Sequence, residues 1–289
     1  MIETVGITAR RHLEKHHAIF RRLIDYFEKK GKKVYLEKRV ADLLGLKKYD
    51  ELQLGRTEVD LVLVLGGDGT ILRVVSSMTA FDSKFFGINM GHLGFLSEIA
   101  PVQIQKTLDK ILSNKCSADP RMMLEVELFR NKKIVNRFFA LNEVVVSQGV
   151  LCRLISLKAK VDGRKLANYK ADGLMVATPT GSTAYNISAG GPIVHPSLNA
   201  MILTPISPHS FSQKPIVIPD DKKVEIVVDS DYDSMNLTVD GQKNVPVKMG
   251  DLIKVRRGPT VEFLRLPTES YFQNLRKKLG WGERVEKSY

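Results

Sequence analysis

Gly66-Gly67-Asp68-Gly69-Thr70 plants one carboxylate among glycines, directly after the β-branched run Val59 to Leu65 (VDLVLVL). A helix begins with unpaired N–H groups and a partial positive charge, and glycines let a phosphate come close to the backbone. The segment therefore reads as a phosphate cradle. No Gly-Lys-Ser/Thr follows, so it is not a P-loop, and the third glycine of the dinucleotide fingerprint is missing. A carboxylate set among anion-binding amides cannot itself hold the phosphate. Asp68 suits a base that takes a hydroxyl proton, or a group that orients a sugar or a magnesium ion. The alternative is that Asp68 only caps a helix starting at Thr70.

The second chemical stretch runs from Ala171 through Asp172, Thr178-Pro179-Thr180-Gly181-Ser182-Thr183-Ala184-Tyr185 and Ser188 to Pro192. A short buried strand leads into a turn rich in hydroxyls, and a helix is expected to carry Ser182, Thr183 and Tyr185 in its first turn. Hydroxyls, free amides and one aromatic face are what a purine and its ribose require. A hydroxyl-capped helix after a proline turn would look the same. The spacing is not Gly-x-Ser-x-Gly, so a serine hydrolase elbow is unsupported. Asn142-Glu143 interrupts the apolar run Phe138 to Val146; on a continuous strand the two would face opposite ways, one of them toward a ligand or interface, and a strand end or bulge is the competing reading. Asp240-Gly241-Gln242 reads as a hairpin turn. His92, His195 and His209 lack metal-ligand spacing and read as structural, and no residue set is expected to be a protein metal site.

These residues need a scaffold. Apolar residues recur at helical spacing from Arg10 to Lys30, Gly31 stops that helix, and Lys33 to Leu36 reads as a strand. Val59 to Leu65 suits a strand buried on both faces, as in a parallel sheet. Thr70 to Ala80 is predicted helical, Phe85 to Ile88 a buried strand, and Pro101 to Leu112 a helix opened by proline. This alternation predicts a doubly wound, Rossmann-like α/β domain over residues 1–117. After Asp119-Pro120 the texture becomes alternating, with strands at Leu124 to Phe129, Phe138 to Ser147, Leu154 to Val161, Val224 to Val228 and Leu237 to Val239. Residues 118–267 are thus expected to form a β-rich, sandwich-like domain. Residues 268–289, with Tyr271, Phe272, Leu275 and Leu279 as an apolar stripe, are expected to form a helix returning to the first domain.

At 289 residues the chain exceeds one ordinary core, and 43% hydrophobic with 26% charged residues excludes disorder as its main state. No stretch is apolar enough to span a membrane, and the start lacks the pattern of a secretory signal, so a cytoplasmic protein is expected. Cys116 and Cys152 are too few for a disulfide scaffold and read as free thiols. The net charge of +12 favours polyanions. Without aromatic platforms beside the basic N-terminal residues, a solvated helix face is preferred over nucleic-acid binding.

The segments GGDGTIL (Gly66 to Leu72), GINMGHLGFLSE (Gly87 to Glu98), LNEVVV (Leu141 to Val146), ADGLMVATPTGSTAYNISAGGPIVHP (Ala171 to Pro196), TPISPHS (Thr204 to Ser210) and VDGQ (Val239 to Gln242) together resemble the NAD kinase family, in that family's order. The first segment alone is shared with lipid and sugar kinases; the second and fourth together are specific. The resemblance implies ATP-dependent phosphorylation of the 2′-hydroxyl of the adenosine ribose of NAD, giving NADP. It also implies Mg2+ or another divalent cation with ATP, and homodimers or homotetramers, with no nucleic acid or membrane partner.

Carried onto this chain, the resemblance makes Asp68 the proton acceptor and assigns nucleotide contacts to Gly67, Gly69, Thr70 and Arg73, with Asn89 and Phe95 from the second segment. Asn142 and Glu143 would hold the sugar and base, and Arg153 would add a contact. Asp172 with Lys170 would sit by the nicotinamide half, partly across a subunit interface. Thr183, Ala184, Tyr185 and Ser188 would line the adenine and Gln242 would close the site. Lys170 stands where arginine is common, and Gln213-Lys214-Pro215 replaces a usual Ser-x-Arg-Pro, so planar bidentate contacts are lost there. The alternatives are a lipid or sugar kinase using the same loop, or a non-catalytic NAD(P)-binding regulator.

Overall fold

The computed structural model describes residues 2–11, 16–78, 81–91, 94–97, 104–149, 153–231, 234–267, 270–280 and 282. Met1–Asp119 and Val261–Tyr289 cluster as one unit and Pro120–Thr260 as a second.

The first unit runs β1 (Thr4–Ala9), α1 (His17–Lys29), β2 (Lys33–Leu36), α2 (Lys38–Leu44), β3 (Asp50–Glu51), β4 (Leu61–Gly66), α3 (Asp68–Val75), β5 (Lys84–Asn89) and α4 (Ile104–Leu112). Its strands lie in the order β5-β4-β1-β2-β3, all parallel. β4 is sandwiched between β1 and β5 and every residue in it is buried, which is why its sequence shows no polar alternation. Phe20, Leu23, Ile24 and Phe27 of α1 pack with Ile7, Leu63, Phe86 and Ile88 of the strands in one core.

Several boundaries differ from the sequence reading, and α2 and β3 were not expected. The first helix is described from His17, residues 12–15 of the span expected from Arg10 lie outside the described residues, and β1 ends at Ala9, beside β4. β1 is only six residues long and is interrupted by Gly6, where a Cβ would come within 2.8 Å of the Leu52 side chain. With Gly6 and two threonines among its six residues, it lacks the continuous apolar run that marks β4. α3 begins at Asp68, two residues ahead of the expected Thr70, and ends at Val75. Residues 79–80 and 101–103 of the two expected helices, together with His92 and Cys152, lie outside the described residues.

The second unit is entered through β6 (Ser117–Arg130) and continues as β7 (Lys133–Ala140), β8 (Glu143–Ser147), β9 (Ile155–Val161), β10 (Arg164–Ala171), β11 (Gly173–Ala177), the single-turn helix α5 (Tyr185–Ser188), β12 (Ala200–Ile206), β13 (Ile216–Pro219), β14 (Val224–Val228), β15 (Met235–Val239) and β16 (Lys243–Val247). β17 (Leu252–Arg265) leads out of it and α6 (Tyr271–Leu279) follows in the first unit. One layer is antiparallel in the order β13-β12-β11-β8-β15-β16; the other holds β10-β9-β14-β17 with the β6–β7 hairpin. Val126, Val144, Val146, Leu157, Leu174, Val176, Leu203, Ile226, Leu237 and Ile253 fill one core between the layers. Alternating residues point into that core, as the sequence pattern required.

The expected strand Phe138 to Ser147 is broken at Leu141-Asn142 into β7 and β8. The expected helix after Thr180 is instead a 3-10 turn over Gly181–Thr183 followed by α5. In α6 only Leu275 of the predicted apolar stripe is buried; Phe272 and Leu279 are exposed. Among the described residues no helix is long and apolar enough to cross a membrane.

Candidate active site

At the carboxyl end of β4 the chain turns directly into α3. Gly66 has to be small, since a Cβ there would lie 2.3 Å from the Thr70 hydroxyl. Gly67 is extended, with open space where a Cβ would project, and its carbonyl accepts the Thr70 N–H at 2.9 Å. Asp68 opens α3 from within its first turn, and no side chain caps the helix. The carboxylate reaches instead to the Gly94–Ser97 loop: Oδ2 accepts from Phe95 N–H at 2.7 Å, and Oδ1 from Leu96 N–H at 3.1 Å and Ser97 N–H at 3.3 Å. A Cβ on Gly94 would come 1.8 Å from Oδ1, so only glycine leaves room for this seat. The capping alternative therefore does not hold. The side chain remains 30% exposed, open to a hydroxyl.

The other first-unit candidates divide. Gly67, Gly69 and Thr70 share the turn with Asp68, and Asn89 ends β5 directly beside Gly66. Asn89 is buried and its Oδ1 accepts Gly91 N–H at 2.8 Å. Arg73 is turned elsewhere. Its guanidinium donates to Glu37 at 3.0 Å and 3.2 Å, to Thr8 Oγ1 at 3.1 Å and to the Ala9 carbonyl at 3.1 Å. Glu37 also pairs with Arg39 and accepts from the Thr8 hydroxyl. Arg73 thus ties α3 to β1 and to the start of α2.

In the second unit a buried carboxylate that the sequence reading took for a plain turn organises a corner. Asp240 accepts backbone N–H groups from Leu141 at 2.8 Å, Asn142 at 2.7 Å and Glu143 at 3.0 Å. Asp240 and Gly241 both have positive φ, as a tight hairpin between β15 and β16 demands. The loop after β11 seals the same corner: Thr178 N–H donates to the Asn142 carbonyl at 2.8 Å and its hydroxyl to the Leu141 carbonyl at 2.6 Å. Gly181 lies so close that a Cβ would be 2.2 Å from the Asn142 oxygen.

Asn142, Glu143, the Thr178–Thr183 loop and the turn bearing Gln242 are therefore gathered in one place. Burial pushes the Glu143 carboxyl up to about 8, with the Asp240 charge adding to it, so it carries a proton at neutral pH. Burial also raises Asp240 to about 6, against the pull of its three amide donors. Glu143 Oε2 is buried with no hydrogen-bond partner among the described residues. A protonated, unpartnered carboxyl can give one hydrogen bond and accept another, as a ribose hydroxyl or purine edge requires.

The hydroxyls of the loop are mostly committed. Ser182 Oγ donates to the Pro179 carbonyl at 2.6 Å, and Asn186 bonds Ser182, Pro192 and Thr204. Thr183 and Ala184 are half-buried, while Tyr185 and Ser188 are exposed. Lys170 and Asp172 lie elsewhere. Asp172 accepts from Gln148 Nε2 at 3.0 Å, at the Ser147 end of β8, whereas Glu143 is at its start. Four residue steps, about 13 Å, separate the two ends. Arg153, just before β9, is exposed.

Sequence reasoning missed Asp240 as a carboxylate cap, Gly94 as the seat of Asp68, and Lys278. The Lys278 ammonium on α6 is 3.7 Å from Asp68 Oδ2 and 4.1 Å from the centroid of the Phe95 ring. Burial lowers its pKa, and the Asp68 charge opposes that shift. Nothing local in the sequence marks it.

Residues 5–116 match the family model of the ATP-NAD kinase N-terminal domain and residues 141–265 that of the ATP-NAD kinase C-terminal domain. An NAD kinase of Syntrophotalea carbinolica is 37% identical over 286 residues, covering 98% of this chain and all of its own. An NAD kinase of Burkholderia vietnamiensis is 40% identical over 259 residues, covering 88% of this chain and 86% of its own. Among solved structures, a yeast NADH kinase in complex with NADH superposes with a TM-score of 0.89 at 25% identity, covering 100% of this chain and 90% of that one. An Archaeoglobus fulgidus NAD kinase in complex with ATP superposes at 0.72 with 26% identity, covering 96% and 98%. The family models and relatives make the chain a nucleotide-dependent phosphotransferase, and a carboxylate seated in a glycine turn after a parallel strand suits that class. The chain belongs to the NAD kinase family.

Proposed function

We propose that this protein transfers the γ-phosphoryl group of ATP to the 2′-hydroxyl of the adenosine ribose of NAD, giving NADP and ADP. The observation that carries the mechanism is the seat of Asp68, fixed by three backbone N–H groups and still exposed. Asp68 takes the hydroxyl proton as the ribose oxygen bonds to phosphorus and the β-phosphate oxygen leaves. Gly67, Gly69, Thr70, Asn89 and Phe95 line that turn and contact nucleotide. Asn142 and Glu143 hold the sugar and base, with Thr183, Ala184, Tyr185, Ser188, Gln242 and Arg153 around them. Arg73, tied to Glu37, acts by fixing α3 and meets nucleotide only if that pair opens.

Phosphoryl transfer asks the protein for alignment and charge neutralisation more than for covalent chemistry. A divalent cation supplies the neutralisation of the donor phosphates. Such a cation would arrive with the triphosphate.

The protein works in the cytoplasm as a homo-oligomer. Lys170 and Asp172 lie at the opposite end of β8 from Glu143, so a second copy that brings its own Asp172 to the nicotinamide half reconciles the two placements. Exposed Phe211, Ile216 and Val217, on and before the edge strand β13, offer the apolar surface for such a contact.

Incubation of the pure protein with NAD, ATP and Mg2+ should yield NADP. Asp68→Asn should lower kcat by about 10²- to 10⁴-fold, the scale of a general base, with NAD affinity little changed. Near wild-type turnover in that variant would remove Asp68 from the base role.

A further inference from the structure

α6 follows the last strand, and its only buried residue is Leu275. A helix with so thin an apolar face is held by something else. Lys278 supplies it: on this helix with a single buried residue its side chain is only 16% exposed, lying across the Phe95 ring with its ammonium on Asp68. Arg265, at the end of β17, donates to the Phe95 carbonyl at 3.1 Å while pairing with Asp119 at 2.6 Å. The C-terminal segment thus grips the Gly94–Ser97 loop from two sides, and that loop is what seats Asp68.

We propose that Lys278 is a positioning residue for the phosphoryl transfer: its ammonium and stem clamp the Phe95 loop and the Asp68 carboxylate together, holding Oδ in the orientation that receives the hydroxyl proton. The inference rests on the reading of Asp68 as the base. Oδ2 is held from two directions, by the Phe95 N–H at 2.7 Å and by the ammonium at 3.7 Å. A half-buried ammonium needs an anion, and Asp68 is the carboxylate that counters the burial of Lys278. Each charge therefore fixes the other. The neighbouring Arg276 and Lys277 are exposed and take no part in this contact.

The full-length protein tests this in two arms. In NMR titration of 13Cε-labelled lysines, the Lys278 signal is identified by its loss in Lys278→Met. Asp68→Asn should move its midpoint to lower pH, because the charge opposing burial is gone. An unmoved midpoint overturns the pairing. In the kinetic arm Lys278→Met should lower kcat by about 10- to 100-fold, the scale of a displaced reacting group, with the KM for NAD little changed. Lys278→Arg should recover most of the loss, and Lys277→Met, which removes the same charge from the same helix, should behave as wild type. Wild-type kcat in Lys278→Met, or an equal loss in Lys277→Met, overturns the proposal. A wild-type protein that makes no NADP sinks the proposed reaction instead, and the NMR arm still decides the pairing.

Discussion

Glu143 is the residue whose environment most departs from what its type suggests. In an unfolded chain it ionises near 4.5; folded, burial and the Asp240 charge raise it to about 8. Between those values the folded protein binds the extra proton, so stability falls as pH rises from about 4.5 toward 8 and levels off beyond. Glu143→Gln fixes the neutral form. It should match wild type near pH 5 and melt higher at pH 9, each kcal/mol being worth roughly 2–4 °C in Tm. Parallel Tm curves across that range would show that the carboxyl is not buried neutral. The sequence displayed Asn142-Glu143 as an anomaly because two polar residues interrupt an apolar run. It could not display the cause. Asp240, which bends the chain there through three amides, is nearly a hundred residues away and looks locally like any Asp-Gly hairpin.

Elements were legible where their signal is local. β4 reads as buried because it is flanked on both sides, and Gly66 to Thr70 reads as a strand-to-helix turn because the clash that keeps Gly66 small lies within five residues. β1 was hidden because Thr4, Gly6 and Thr8 break up its apolar residues, and the helix expected after Thr180 failed because the loop is shaped by contacts with Asn142 rather than by its own propensity. That contact is one of the tight backbone approaches of the second unit. A Cβ at position 181 would strike the Asn142 carbonyl oxygen at 2.2 Å and its carbon at 2.5 Å, backbone atoms that cannot rotate aside. Gly181→Ala should therefore push the loop off the corner, costing about 1–3 kcal/mol, the scale of overpacking, and raising the KM for NAD. Calorimetry and NAD saturation curves would check both. An alanine variant unchanged in Tm and KM would mean that the loop is not docked as described.

For the whole molecule, the layered core of the second unit follows from alternation and turns, but the strands β10, β12, β13, β16 and β17 went unread, and so did its apolar surface. Phe211 is 94% exposed in the loop between β12 and β13, and Ile216 and Val217 expose apolar surface on β13, an open sheet edge. An apolar edge left bare invites pairing with another chain. The loop is also joined to the Lys170 end of β10, where His209 N–H donates to the Lys170 carbonyl at 2.8 Å, and β12 meets Asp172 through the Ile206 carbonyl at 2.9 Å. A partner docked on this edge would therefore bear on the two residues assigned to the nicotinamide half. Phe211→Asp should shift the protein toward a smaller species in sedimentation velocity and raise the KM for NAD while leaving the Tm of the second unit nearly unchanged, since the ring packs on nothing to lose. Dissociation without a KM change would place Asp172 outside the partner's reaction. An unchanged sedimentation coefficient would mean that the copies, if they join, do so through another face.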